Sequence, residues 1–146
     1  MVIQGRIVMS LHVCPCGSGL AYTQCCRPFH AGKAAPTAEA LMRSRYSAYV
    51  LADAAYLHRS WHSSTRSSKK SLVQSKGLHW EKLEIIHTEA GQSEDQTGFV
   101  EFIAYFSEDV QAQHLHERSR FVREKGRWVY LDALPTTPLG KSEANT

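Results

Sequence analysis

The sequence predicts an α+β protein in which helices pack on a curved antiparallel sheet, with a small metal-binding knuckle in front of them. Three observations carry this prediction. All four cysteines of the 146-residue chain lie between positions 14 and 26. Apolar residues then recur at helical spacing between positions 37 and 57. From position 78 onwards, alternating aromatic and β-branched runs are separated by turn residues, and helices followed by hairpins are the order of an α+β fold.

Length and composition restrict the class of protein. A chain of 146 residues with 42% hydrophobic and 21% charged residues forms about one domain and is too apolar for intrinsic disorder. No run approaches the roughly 20 apolar residues of a membrane-spanning helix, and the N-terminus lacks a signal-peptide core. We therefore predict a cytoplasmic protein with no membrane partner.

The net charge of +3 is unevenly distributed along the chain. No Asp or Glu precedes Glu39, so Arg6, Arg27 and Lys33 account for the excess. A second acid-free span, between Asp53 and Glu81, contains Arg59, Arg66, Lys69, Lys70 and Lys76. These side chains form either a solvated surface or a surface that attracts acidic or phosphate-bearing partners.

Clustering of the cysteines favours one metal site over a disulfide framework, which would distribute them along the chain. Cys14 and Cys16 can hold an ion from one turn, and Cys25 and Cys26 can complete a tetrahedron, as in structural zinc sites. A redox dithiol, an iron–sulfur cluster, disulfides or free thiols, and a histidine ligand (His12 or His30) remain alternatives.

The residues between the cysteines suit such a site. We expect Gly17 and Gly19 to adopt positive φ and turn backbone amides toward the sulfurs, with Ser18 as a further donor. One or two helical turns should precede Cys25, and Pro28 is expected to end the turn. Because the metal would act locally, chelation is expected to unfold roughly the first thirty residues and leave the rest folded.

A helix is predicted to begin at Thr37, a favourable N-cap, with Glu39 in its first turn. Asp53 marks a point where this helix breaks and restarts. Its apolar face consists of Met42, Tyr46, Tyr49, Val50, Tyr56 and Leu57. The tyrosines either pack in the core or line a ligand site.

The second half predicts a short basic helix over 67–76, ended by Gly77, and then four strands joined as hairpins. The strands are expected at 78–88, 97–107, 110–123 and 127–132.

Alternation in the third strand places Glu117, with Leu115, Ser119 and Phe121, on the core face. Burying a lone carboxylate is costly, so Glu117 should have a partner, with Arg45 preferred and Arg43 second. Glu117 would then act either as an ion pair between helix and sheet or as a general acid or base.

Two family resemblances follow from these residues. Cys-x-Cys-x8-Cys-Cys, with Gly-Ser-Gly after the second cysteine and Tyr22 before the last pair, resembles the SEC-C motif. This resemblance implies zinc bound by Cys14, Cys16, Cys25 and Cys26. Together with 41–49, 56–57, 61–62, 65–66, 117–121 and 126–130, the pattern closely resembles the YchJ family.

The YchJ resemblance implies three segments: a SEC-C motif at 12–33, a cone-shaped nuclear transport factor 2-like domain at 36–134, and a polar tail at 135–146. The cone implies a pocket between helices and sheet and is compatible with a homodimer. Candidate pocket or buried polar residues are Arg45, Tyr46, Tyr49, Glu117, Ser119 and Trp128.

Fold resemblance does not determine function. The leading hypothesis is a non-catalytic, zinc-dependent adaptor whose knuckle contacts a protein or ribosomal partner, as SEC-C tails are associated with such contacts. The alternatives are an enzyme that uses Glu117 in the cone pocket, where a small ligand could bind, and a nucleic-acid binder that uses Arg27, Lys33, Lys69 and Lys70. No catalytic residue is assigned.

Overall fold

A computed structural model describes residues 12–72 and 77–136 of the protein. Its helices are α1 (Arg27–His30), α2 (Ala38–Val50) and α3 (Ala54–Arg59), with short 3₁₀ helices at Tyr22–Gln24 and Lys69–Leu72. Its strands are β1 (Leu78–Ala90), β2 (Thr97–Glu108), β3 (Gln111–Glu124) and β4 (Arg127–Leu134). They form one antiparallel sheet in the order β1-β2-β3-β4. The predicted α+β organisation is confirmed.

Helix α2 begins where the sequence predicts and ends at Val50, shortly before the predicted break at Asp53. The Thr37 side chain caps it by accepting a hydrogen bond from the Ala40 amide at 3.0 Å. After Val50 the helix breaks, and Asp53 caps α3 by accepting a hydrogen bond from the Tyr56 amide at 3.0 Å. The predicted break and restart at Asp53 is confirmed.

Three irregularities interrupt the strand pairing of the sheet. The pairing of β1 with β2 shifts register at Trp80/Lys82 and Ile85/His87, where β1 has an extra residue, and the pairing of β3 with β4 shifts at Arg120/Phe121, where β4 has the extra residue. Shifts of this kind bend a strand and increase its twist. Helix α2 packs against β1, β2 and β4, and the core between them contains Tyr46, Val100 and Phe121, which are at most 3% exposed.

The N-terminal knuckle is built into the same core. Cys14, Cys16 and Cys26 are 2%, 0% and 1% exposed and belong to the buried cluster that also contains Leu41 and Met42 of α2. Three arginines from the rest of the chain donate to knuckle carbonyl oxygens: Arg43 to Cys16, Arg59 to His30, and Arg127 to Gly32. The knuckle is therefore fixed to the domain on several sides.

Several boundaries differ from those predicted. The strands end up to two residues later than expected, and β3 begins one residue later. In place of a helix over 67–76, the structure has a 3₁₀ helix at Lys69–Leu72, and residues 73–76 lie outside the described residues. The predicted polar tail lies outside them from position 137 onwards. Within the described ranges, no helix is long and apolar enough to cross a membrane.

Candidate metal centre and cavity

The first two cysteines lie on a tight loop closed by backbone hydrogen bonds. The Cys14 amide donates to the Leu20 carbonyl oxygen at 2.9 Å, and the Gly17 amide donates to the Cys14 carbonyl oxygen at 3.3 Å. Gly17 and Gly19 have φ of +85° and +86°, which glycine adopts without a Cβ clash. The predicted positive φ angles are confirmed, and the loop brings Cys14 and Cys16 close together.

The second pair of cysteines lies between two short helices. The 3₁₀ helix ends at Gln24, and Cys26 is the N-cap of α1. Between them Cys25 has φ −122° and ψ −94°, so the chain turns sharply at this residue. Pro28 lies in the first turn of α1, where a missing N–H costs no helical hydrogen bond. The expectation that Pro28 ends the turn was wrong.

The four sulfur atoms have the spacing of a tetrahedral metal site. All four Sγ atoms lie within 4.8 Å of one another, with 3.6 Å from Cys16 to Cys25 and 3.9 Å from Cys25 to Cys26. Zinc–sulfur bonds of about 2.3 Å in a tetrahedron separate the sulfurs by about 3.8 Å. All four cysteines are free thiols rather than disulfides. The donor set therefore fits a metal ion.

Two serine hydroxyls contact the sulfurs. Ser18 Oγ lies 3.1 Å from Cys25 Sγ, and Ser47 Oγ of α2 lies 3.5 Å from Cys14 Sγ. Such donors lower the charge density on metal-bound thiolates. The predicted contact of Ser18 with the cluster is therefore present. The Gly17 amide donates to the Cys14 carbonyl oxygen rather than to a sulfur, whereas a backbone hydrogen bond from Cys16 reaches the Cys14 thiol.

Arg43 supplies positive charge beside the cluster. Its Nη1 donates to the Cys16 carbonyl oxygen at 2.8 Å and lies 4.0 Å from Cys16 Sγ, while its Nε donates to Glu39 at 3.0 Å. Although burial lowers the pKa of Arg43, the hydrogen bonds to Glu39 and Cys16 raise it overall. The guanidinium is therefore held in its charged form next to the thiolates.

The thiols strongly influence one another's ionisation. Hydrogen bonds from Cys16 and Cys26 lower the pKa of Cys14. The same interaction with Cys14 raises the pKa of Cys26, and burial raises the pKa of Cys25 to about 11. One thiolate thus opposes the ionisation of its neighbours. A divalent cation removes this conflict by binding all four thiolates and releasing their protons.

The histidine alternatives do not contribute to this cluster. His30 Nε2 lies 2.8 Å from the Ser44 carbonyl oxygen, so it must be the protonated donor, and Nδ1 accepts from the Tyr22 hydroxyl at 2.7 Å. Both ring nitrogens of His30 are therefore occupied. His12 lies on an outer groove of the knuckle. In the described part of the chain, the group able to hold an ion consists of the four cysteines.

A cavity of about 210 Å³ lies between α2 and the sheet. The structure places five of the six predicted pocket residues around it: Arg45, Tyr46, Tyr49, Glu117 and Ser119. Trp61, Trp80, Phe102 and Tyr130 complete much of its aromatic wall. This cavity is the second candidate site of the molecule.

Trp128, the sixth predicted residue, does not line this cavity. Its side chain is 2% exposed and packs in the core, with the Arg123 guanidinium 4.4 Å from its ring. Tyr130 lines the cavity in place of Trp128. It lies two residues, or roughly 7 Å, beyond Trp128 on the same strand.

The predicted ion pair between Arg45 and Glu117 is wrong, although both residues line the cavity. Glu117 Oε2 accepts hydrogen bonds from Ser119 Oγ at 2.9 Å and from the Tyr130 hydroxyl at 3.2 Å. Arg43, the second candidate, pairs with Glu39. Hydroxyl donors on β3 and β4 therefore replace the expected cation.

Arg45 instead turns toward the end of α3. Its Nη1 donates to the Leu57 carbonyl oxygen at 2.9 Å and to Ser60 Oγ at 2.7 Å. Its Cζ lies 5.3 Å from the Trp61 ring centre and 4.9 Å from that of Tyr130. Carbonyl and aromatic partners thus hold the guanidinium where a carboxylate was expected.

Sequence reasoning missed Ser47 at the cysteine cluster and several residues of the cavity wall, among them Trp61, Trp80, Phe102 and Tyr130. Ser47 follows Arg43 by one helical turn, a spacing that could have placed both beside the cysteines. Trp61 and Tyr130 carry no local signal for the cavity, because a parallel bridge between two distant segments brings them there.

Family models match both parts of the chain. A family model for the middle nuclear transport factor 2-like domain of YchJ matches residues 37–133, and the SEC-C motif matches residues 13–28. The chain belongs to the YchJ family. Its SEC-C match contains all four cysteines of the metal centre.

Relatives of this YchJ-family protein carry the designation UPF0225. One from Streptomyces coelicolor is 50% identical over 120 residues, covering 82% of this chain and 92% of its own length. One from Vibrio parahaemolyticus is 47% identical over 133 residues, covering 89% of this chain and 78% of its own length.

Two solved structures of SEC-C motif-containing proteins have the same fold. The solution structure from Rhodopseudomonas palustris has a TM-score of 0.76 and 32% identity, covering 85% of this chain and 98% of that chain. The 1.75 Å crystal structure from Psychrobacter arcticus has a TM-score of 0.72 and 29% identity, covering 90% of this chain and 88% of that chain.

Proposed function

We propose that this YchJ-family protein is a non-catalytic adaptor whose knuckle, held by structural zinc, docks onto an acidic protein segment. Four thiolates saturate a tetrahedral zinc ion and leave no position for water or substrate. Three of the four cysteines are at most 2% exposed, which supports a structural role for the ion. Such an ion would fix the shape of the knuckle surface.

The observation that carries the docking role is an apolar groove on the outer side of the knuckle. Its volume is about 290 Å³, and its walls are His12, Val13, Pro15, Tyr22, Thr23, Arg27 and Leu51. Val13 is 53% exposed, and Leu51, at the end of α2, is 49% exposed. Large exposed apolar side chains brought together in this way are typical of contact surfaces.

Charge favours an acidic occupant. Arg27 lies in the groove wall, whereas Lys33 lines a separate cavity, and no Asp or Glu occurs between residues 12 and 38. Arg59 is not free for docking, because it donates to the His30 carbonyl oxygen at 2.6 Å and packs on the Tyr56 ring. An acidic segment with an apolar anchor would complement this surface.

A protein fits the groove better than a nucleic acid. Its walls are mainly apolar, with Arg27 as their one permanently charged side chain. Contacts with a phosphate backbone require several cations in a row and become weaker as salt rises. For the enzyme alternative, Glu117 is the one carboxylate in the cavity wall described here, and no reaction class is proposed for it.

Peptide-display selection on the intact, metal-loaded protein tests the docking proposal. We expect enrichment of peptides that combine Asp or Glu with a large apolar residue. Leu51→Glu and Arg27→Glu should weaken binding of the enriched peptides by at least about tenfold, since each places an acid against them.

Two variants serve as matched controls for the groove. Val110→Glu changes a 98% exposed aliphatic residue in the β2–β3 turn, and Lys82→Glu reverses a charge beside Tyr105 on the sheet. Both should bind like the wild type. Enrichment without acidic residues, or unchanged binding by the groove variants, would contradict the proposal. Salt-sensitive binding of RNA or DNA that Arg27→Glu abolishes would favour the nucleic-acid alternative.

Metal analysis tests the zinc assignment. We expect one zinc ion per chain in the purified protein and loss of that ion in a Cys25→Ser, Cys26→Ser double variant. Iron with the absorbance of a cluster, or four oxidised cysteines, would contradict it.

A further inference from the structure

The cavity between α2 and the sheet is mostly apolar but contains one unusual cation. Arg45 is 4% exposed, and burial lowers its pKa. No carboxylate of the described residues lies within 4.0 Å of its nitrogens, so Arg45 has no close ion pair, and Glu117 across the cavity acts on its charge only from a longer distance. Burying an unpaired cation is costly, and arginine does not escape this cost by losing its proton.

The guanidinium also has hydrogen-bonding capacity to spare. Both of its hydrogen bonds come from Nη1, and in residues 12–72 and 77–136 neither Nε nor Nη2 has an acceptor. These two atoms form the edge of the guanidinium that binds a carboxylate in bidentate geometry. A ligand carboxylate would therefore satisfy both the charge and the unused donors of Arg45.

A second unsatisfied donor belongs to the same wall. The indole Nε1 of Trp61 is buried and has no hydrogen-bond partner within the described structure. Trp61 lines the cavity, and its ring centre lies 5.3 Å from Arg45 Cζ. A buried donor without an acceptor is destabilising, and an oxygen atom placed beside Nε1 would remove that cost. Arg45 and Trp61 thus both favour an oxygen-bearing, negatively charged group.

The opposite wall of the cavity restricts the charge and shape of the rest of the ligand. Glu117 carries a negative charge in the cavity wall, held by Ser119 and Tyr130, so it disfavours a dianion such as a phosphate monoester. Tyr46 and Phe102 present apolar surface to the cavity, which has room for a small organic body. Leu115, 42% exposed, lies where the cavity meets solvent.

We propose that this cavity binds a small monocarboxylic acid with an apolar body, its carboxylate on Arg45 Nε and Nη2 and near Trp61 Nε1, and its body between Tyr46 and Phe102. This site is separate from the knuckle groove. It goes beyond the adaptor proposal, and each can fail without the other.

Three acids and their uncharged analogues test the proposal by NMR titration of the metal-loaded protein. The pairs are 3-phenylpropionate and 3-phenylpropanol, indole-3-acetate and indole-3-ethanol, and hexanoate and hexanol. At least one acid should bind at or below about 1 mM and at least about tenfold more tightly than its alcohol, because charge-assisted bidentate bonds are about twice as strong as neutral ones.

Four variants locate the site. Ala104→Leu fills the cavity from β2 and should abolish binding of the acid, while Ala112→Leu makes the same change at an exposed position on β3 and should not. Arg45→Met removes the charge and should remove the preference for acid over alcohol. Trp61→Phe keeps an aromatic ring and should weaken binding of the acid several-fold. This variant provides a test if Arg45→Met does not fold.

Three results would overturn the proposal. The first is that none of the three acids binds at about 5 mM. The second is equal affinity for each acid and its alcohol. The third is undiminished binding of the acid by a folded Ala104→Leu variant.

Discussion

Replacing Arg43 with alanine is expected to weaken metal binding although Arg43 is not a ligand. The Arg43 guanidinium lies 4.0 Å from Cys16 Sγ and donates to the Cys16 carbonyl oxygen at 2.8 Å. Its charge therefore stabilises the anionic thiolate cluster, and its hydrogen bond positions the loop that carries Cys16. Outer partners of this kind orient metal ligands and tune their charge.

The size of the effect follows from the distance. Two unit charges 4 Å apart attract by about 4 kcal/mol at an effective dielectric constant near 20. Four thiolates on a divalent ion share a net charge of about −2, so each sulfur carries about half a charge, and the attraction falls to about 2 kcal/mol. Arg43→Ala should therefore lower zinc affinity about 30-fold, within the roughly 10- to 100-fold range of outer-partner losses.

Competition against a chromophoric zinc chelator at neutral pH measures this loss. Glu39→Gln is the matched control, because it removes the 3.0 Å ion pair to Arg43 and leaves the contacts of Arg43 with Cys16 in place. The control should bind zinc within about twofold of the wild type, since exposed pairs within a helix are worth only about 0.3–0.5 kcal/mol. Equal zinc affinity of Arg43→Ala and the wild type would refute the electrostatic argument.

Three further perturbations have expected outcomes. Chelation of the metal should raise amide hydrogen exchange in α2 as well as in residues 12–30, because Cys14, Cys16 and Cys26 belong to the same core cluster as α2. Unchanged protection of α2 would instead favour the independently folding knuckle expected from the sequence. Gly98→Ala should reduce the urea-unfolding free energy by about 1–3 kcal/mol, because its Cβ would meet Gly91 Cα at 2.4 Å; an unchanged value would contradict this. Burial raises the pKa of Tyr46 to about 12. The buried, neutral Tyr46 therefore contributes its full stabilisation below about pH 10, where a tyrosine of the unfolded chain begins to ionise. This stabilisation is lost as the pH rises to about 12. The unfolding free energy of the wild type should therefore fall by about 2–3 kcal/mol more than that of Tyr46→Phe between pH 9 and pH 12, and parallel curves would exclude this role.

Features determined by local sequence could be predicted well. Asp53 both ends one helical pattern and caps the next helix, so the break in the helix is encoded within a few residues. Alternation along β3 correctly placed Ser119 and Phe121, 1% and 0% exposed, on the buried face. The cysteine cluster was predictable because its ligands lie within one short segment.

Features that depend on distant segments could not be predicted in this way. The partner of Glu117 was sought among cations, but the pairing of β3 with β4 brings the Tyr130 hydroxyl to it. The orientation of Arg45 depends on where α3 ends, since Leu57 and Ser60 provide its acceptors. Nothing near Arg45 or Glu117 in the sequence indicates these contacts.

Helix α2 links the two candidate sites because it is buried on two sides. Arg43 and Ser47, one turn apart, face the cysteines, whereas Tyr46 and Arg45 face the cavity. The cysteine cluster therefore supports the helix that presents Arg45 to the cavity. A change in overall stability cannot distinguish damage to one site from damage to the other, because both act through the same helix. Zinc affinity and the preference for acid over alcohol separate them, since each measurement responds to one face of α2.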